Sequence, residues 1–213
     1  MFKFFRNGTK RRKRSQKYLR RAGIPINSNL PVLKDEIQIR TVEEIANRAM
    51  CICIVSAKGE GTESEVVKKI TQRYDLINHF TKNEKEFLHN DDVSEEERIH
   101  FSWKYEGYWV LLWMLGYVDE LSYPNAICDV PFAVTQLSER TRETLIAEAI
   151  IRSKEELAEQ ADLIYNMHWA VRQAQIDGKT IPGDLNIGVV QERHYALNWL
   201  MGTENWDEVE THT

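Results

Sequence analysis

No uncharged apolar run in this chain reaches 18 residues, so no transmembrane helix is predicted. The opening MFKFFRNGTKRRKR mixes charge with aromatics but holds no apolar stretch of signal-peptide length. Cysteine is scarce. Cys51, Cys53 and Cys128 form no disulfide framework and no zinc spacing, and a chain of 213 residues can bury a core without covalent staples. Cys51 and Cys53 lie two apart where a helix is predicted, so they face different ways and make a poor chelate. Reduced, buried thiols in a cytoplasmic protein are the expectation. Alternation of apolar and polar residues long enough for a sheet is missing too, which leaves an all-α fold.

Catalytic signatures are equally sparse. There is no G-x-S-x-G elbow and no HExxH, and no Ser or Cys has a sequence neighbour that marks it as activated. The run GEGTES at Gly59 has two glycines but no Walker lysine and no preceding strand, so it reads as a solvated turn. Glu97 and His100 make one Glu-x-x-His step, whereas di-iron bundles need a second such pair and two further carboxylates. No metal and no cofactor are expected from this spacing.

What is present describes a folded domain with a divided charge. A hydrophobic fraction of 42%, with six Trp, eight Tyr and seven Phe, is that of a globular protein. The net charge of -5 is an average over two unlike parts. Residues 1–21 hold ten Lys or Arg and no acid, and the remaining 18 Lys or Arg face 33 Asp or Glu, a net of -15. A basic N-terminal arm (1–23) on a single acidic-tailed domain (24–213) is the resulting division. Lys10, Arg11, Arg12, Lys13, Arg14, Lys17, Arg20 and Arg21 can meet nucleic acid by counterion release. Beside Phe2, Phe4 and Phe5 they can meet an anionic membrane instead. The arm can also stay solvated or dock on its own body, with the acidic ending from Glu204 to Glu210 as its partner.

Helix signals punctuate the rest. Gly23, Pro25 and Pro31 predict an extended connector after the arm. Thr41 with Glu44 is a capping-box pattern ahead of Val42, Ile45, Ala49 and Ile52, and this helix is expected to end near Gly59. Thr62 with Glu65 repeats the pattern, and a short helix with a loop is expected over 81–92. Ser94 with Glu97 opens a central tryptophan helix that Gly116 terminates. Asp129 is placed to cap a short helix through Leu137. Ser153 with Glu156 opens a long helix with the stripe Leu157, Ala161, Ile164, His168 and Val171. After the turn DGKTIPGDLNIG, a last helix spans about 188–201.

The central helix, about 94–116, carries Trp103, Trp109 and Trp113 and plants the carboxylate of Glu106 among them. At about 100° per residue, Glu106 shares a face with Ile99, Trp103, Val110 and Trp113. A charge there needs a cation or hydrogen-bond donors, or it must stay protonated. Two other helices also turn an ionisable residue inward: His168, and Arg193 on the stripe of Val189, Val190, Ala196, Leu197 and Leu200. Two readings of Glu106, His168 and Arg193 stand open. In one, Arg193 holds an anionic ligand while Glu106 and His168 exchange a proton, with Trp103, Trp113 and Arg172 as further ligand contacts. In the other, Glu106 and Arg193 form a buried pair that sets helix register and His168 completes its hydrogen bonds.

Several strings in order carry a likeness. WKYEGYWVLLWMLGYVDEL, the CD of Cys128 and Asp129, His168 with Trp169, ERHYALNWL and the ending WDEVETHT resemble the bacterial family known as domain of unknown function 4272. RSQKYLRRAGIPINSNLPVL and IRTVEEIANRA resemble its N-terminal part, so the likeness runs from about residue 14 to the C-terminus. The family brings no established activity. Gly107 stands where the resemblance implies alanine, at a cost of about 0.5–1 kcal/mol in helix stability, and points to a close neighbouring backbone or a loosened helix. The expected function is a non-enzymatic binding or protein-interaction module. An enzyme or small-anion receptor built on the inward cluster is the alternative, and nucleic-acid or membrane association through the arm is another. Solvent access to the cluster separates the first two.

Overall fold

Helix starts follow side-chain caps. The computed structural model describes residues 5–33 and 37–213, with only the backbone for residues 5–7. The side chains of Thr41, Thr81, Thr141 and Ser153 each accept a bond from the amide three residues on, and their own amides donate to that residue's side chain, opening α2 (Val42–Gly59), α4 (Lys82–His89), α8 (Arg142–Ala147) and α9 (Lys154–Ile176). Ser94 does the same for α5 (Glu95–Ser102), and Asp129 caps α7 (Val130–Ser138) through the Phe132 amide at 2.9 Å. The Thr62–Glu65 pattern does not form a box. Gly61 takes a left-handed turn (φ 99°), and α3 (Ser64–Arg73) starts later, with Glu63 as an N-cap that makes no side-chain bond.

The expected central helix is two helices. α5 stops at Ser102 and α6 (Tyr105–Met114) begins after a tight turn at Trp103 and Lys104, where the Glu106 amide donates to the Trp103 carbonyl at 3.1 Å. Tertiary contacts account for the break. A Cβ on Gly59 would lie 2.7 Å from the Ser102 amide nitrogen, so α2 and α5 meet almost backbone to backbone. A Cβ on Gly188 would lie 2.6 Å from the Trp103 ring, so that ring occupies the surface of the last helix, α10 (Ile187–Met201). Ile99, placed by one continuous helix on the Glu106 face, is exposed instead. α6 itself is apolar all round and central, with Tyr108, Val110, Leu111, Leu112 and Met114 fully buried.

The basic segment is helical. α1 (Phe5–Arg21) lies against α9, and Leu19, Arg11, Arg12 and Ser15 form its buried face. Arg12 pairs with Asp162 of α9 at 3.0 Å and donates to the Leu30 and Pro31 carbonyls, while Arg11 donates to the Leu33 carbonyl. Among the described residues the acidic partners of α1 include Asp162 and Glu159 of α9, and no ion pair joins it to the ending from Glu204 to Glu210. Phe2, Phe4 and the side chain of Phe5 lie outside the described residues. From α1 the contacts run in order to α9, α10, α6 and then α2, which also meets α3, α4, α5 and α8. One core connects them into a single domain. Among the described residues there is no strand, and no helix is long and apolar enough to cross a membrane.

Candidate functional site

α10 is enclosed by α9 on one side and α6 on another, so residues pointing in most directions meet protein. Its string Glu192, Arg193, His194 turns by about 100° per residue, and three neighbours receive three different side chains. Glu192 pairs with Lys104 at 3.0 Å, in the turn between α5 and α6. Arg193 Nε meets Glu106 Oε2 of α6 at 3.0 Å, each side chain 2% exposed. The Glu106 Oε1 accepts the Cys128 amide at 2.5 Å, and Arg193 Nη1 donates to the Ser122 carbonyl at 2.6 Å. The carboxylate thus has a cation and a backbone donor, the two compensations that a buried charge requires.

His168 does not complete that pair. It faces α10 one position later, with its Nδ1 2.7 Å from the Nδ1 of His194. With both rings neutral, such a bond needs opposite tautomers, one presenting N–H and the other a lone pair. Burial pushes His168 down to about 4, assisted by the charge of Arg172, and pushes His194 down to about 3, assisted by His168. The expected cluster of three is therefore two separate pairs on neighbouring faces of α10.

The other ligand candidates scatter. Trp103 is half-buried over Gly188, Trp113 is buried with the Arg152 guanidinium 5.8 Å from its ring, and Arg172 is exposed on α9 beside Gln175. Glu97 serves its cap, and among the described residues no three His, Cys, Asp or Glu side chains converge as metal ligands. Burial raises all three thiols, Cys51 and Cys53 to about 12 and Cys128 further with the help of Glu106, which leaves them inert as nucleophiles near neutral pH.

Sequence reasoning passed over two further buried pairs. Arg48 of α2 meets Glu84 of α4 at 2.5 Å while Glu84 also closes the Thr81 capping box, and Arg12 meets Asp162. The one available signal was a charged residue beside an apolar stripe, as Asp162 stands beside Ala161. Near Arg48 lies a groove of about 630 Å³ between the starts of α2 and α4 and the turn at Trp206–Glu208. Phe80, Trp199 and Trp206 form its apolar base, and Arg40 lies 4.2 Å over the Trp199 ring. Both charge signs line it: Arg40, Lys82 and Arg48 against Glu43, Glu44, Asp207 and Glu208. Glu106 borders a smaller cavity of about 240 Å³ with Trp103, Tyr105, Ile127, Cys128 and Val130. Arg193 borders one of about 40 Å³ on the other side of the pair.

No curated protein and no solved structure matches this chain. Residues 11–209, nearly the whole length, match the family described as Domain of unknown function (DUF4272), and the chain belongs to that family.

Proposed function

We propose that this protein is a non-enzymatic binding module that receives a mixed-charge peptide segment of a partner protein in the groove between α2, α4 and the Trp206 turn. The observation that carries the reading is the separation of closed chemistry from open surface. Glu106 with Arg193, and His168 with His194, are buried and paired, and Glu106 borders the smaller cavity of about 240 Å³, while the groove of about 630 Å³ is open. Acid–base work requires a group within reach of a substrate proton, and both Glu106 oxygens already accept bonds inside the fold. The groove suits an amphoteric segment better than a phosphate. Both helix N-termini at its edge are closed by their own capping carboxylates, Glu44 and Glu84, which fill the place an anion would take.

Selection of displayed peptides on the full protein tests this. His79 and Lys82 are exposed at the groove, so His79→Trp with Lys82→Glu obstructs it without entering the core. Enrichment of peptides that carry both charges and lose affinity for the obstructed variant is expected. Peptides that bind both proteins equally overturn the reading, as does a turnover that a folded Glu106→Gln variant abolishes.

A further inference from the structure

We propose that the outward face of α1 is a second binding surface, a sequence-independent site for the phosphate backbone of a nucleic-acid duplex. Lys10, Lys13, Arg14, Lys17, Arg20 and Arg21 fall within an arc of about 120° and cover about 16 Å of helix. All six are exposed, opposite the docked face of Arg11, Arg12, Ser15 and Leu19. Arg14 pairs with Glu159, but among the described residues none of Lys10, Lys13, Lys17, Arg20 and Arg21 has an acidic partner. That concentration is out of character for a chain whose residues beyond position 21 carry a net charge of -15. Elsewhere buried Arg48 and Arg193 and half-buried Lys104 each have a carboxylate, and buried Lys58 donates to three backbone carbonyls.

The fold also selects the kind of polyanion. A helix that enters a lipid interface must insert an apolar face, and the apolar face of α1 is packed on α9. Attraction to phosphates remains. The arc holds only Lys and Arg on one outer helix face, cations that reach phosphate oxygens along the duplex, and carries no Asn or Gln to read adenine. Because Arg11 and Arg12 anchor the helix to loop carbonyls and Asp162, the cations are held in place before binding. A duplex carries one charge per about 1.7 Å, so a face of this length addresses about four to six phosphates.

The test is fluorescence anisotropy of a labelled 20-base-pair DNA duplex with the full chain between 25 and 200 mM KCl. The logarithm of the affinity should fall with that of salt at a slope of about -4 to -5. Lys13→Gln, Lys17→Gln and Arg20→Gln together should weaken binding at least about tenfold at low salt and flatten the slope by about 3, with the melting temperature unchanged. Neutralising Lys69, Lys85 and Lys154, which lie off α1, should change affinity less than about twofold. The groove-obstructed variant should bind DNA like wild type, which separates this site from the peptide groove. Wild-type DNA affinity in the α1 variant overturns the proposal. So does equal or tighter binding to phosphatidylserine vesicles at the same phosphate concentration, which would make the face a membrane contact.

Discussion

α10 and α1 each carry a run of ionisable residues, ERH in one and KRRKR in the other, and the protein treats them in opposite ways. On α10 each of the three finds a partner in the fold: Lys104, Glu106 or His168. On α1 the run divides, with Arg11 and Arg12 turned inward and Lys10, Lys13 and Arg14 outward. The number of neighbours decides the difference. α10 is enclosed by α9 and α6, whereas α1 rests chiefly on α9 and the loop at Leu30–Leu33, which leaves its other face open. An enclosed charge must be matched inside the chain, so it specifies which helices meet. A charge on an outer face is free of that demand and open to something outside the chain.

The hardest blow to this contrast is struck at the enclosed pair. Glu106→Ala and Arg193→Ala should each lower the unfolding free energy by about 3–5 kcal/mol, because each leaves the other charge buried without its partner. The double variant should lose much less than the sum of the two. Urea unfolding of the four proteins measures the coupling, and additive losses would break the argument that α6 and α10 register on this bond.

The histidine pair gives an effect of similar size, with a sign set by pH. Unfolded histidine titrates near pH 6.5, while burial holds His168 to about 4 and His194 to about 3. The unfolded state therefore binds more protons throughout that window. The stability contributed is full above pH 6.5 and is lost as pH falls toward 4, by up to about 1.4 kcal/mol per pH unit for each ring. Urea midpoints at pH 7, 5.5 and 4.5 should trace the loss, and His168→Gln with His194→Gln should have a flatter profile over the same range. An equal slope in the variant would show that acid acts elsewhere.

The starts of α2, α5, α7 and α9 were legible because an N-cap bond is local: donor and acceptor lie three residues apart in sequence. Glu106 was legible as a problem, since a carboxylate amid tryptophans must be compensated whatever the fold. Its solution was only half legible. A wheel of α10 places Arg193 inward, but it takes two neighbouring helices to send Arg193 to α6 and His194 to α9. The break at Trp103 was invisible for the same reason, because its causes are Gly59 and Gly188, both distant in sequence. The Arg12–Asp162 pair joins residues 150 positions apart, and no periodicity reports on that.

Gly107 sharpens the comparison within the enclosed region. Neither a close backbone nor a loosened helix explains it. A Cβ there would lie 3.6 Å from the Trp206 ring and 3.7 Å from the Ala196 Cβ, ordinary contact distances, and α6 is continuous across it. Gly107→Ala should accordingly stabilise the protein by about 0.5–1 kcal/mol, read as a rise in melting temperature. A fall would mean that Trp206 cannot yield the space.

The smallest effect belongs to the outward face of α1 and compares two adjacent residues. Arg12→Ala removes the partner of fully buried Asp162 and three hydrogen bonds, so it should destabilise by several kcal/mol, of the order expected for a broken buried pair. Lys13, about 100° further round the helix, is exposed and bears no acidic partner among the described residues. Lys13→Ala should therefore stay within about 0.5 kcal/mol of wild type by denaturant unfolding. A large loss at Lys13 would mean that the outer cations are committed to the fold after all. They could not then be spared for a phosphate backbone, and the distinction between the two helices would disappear.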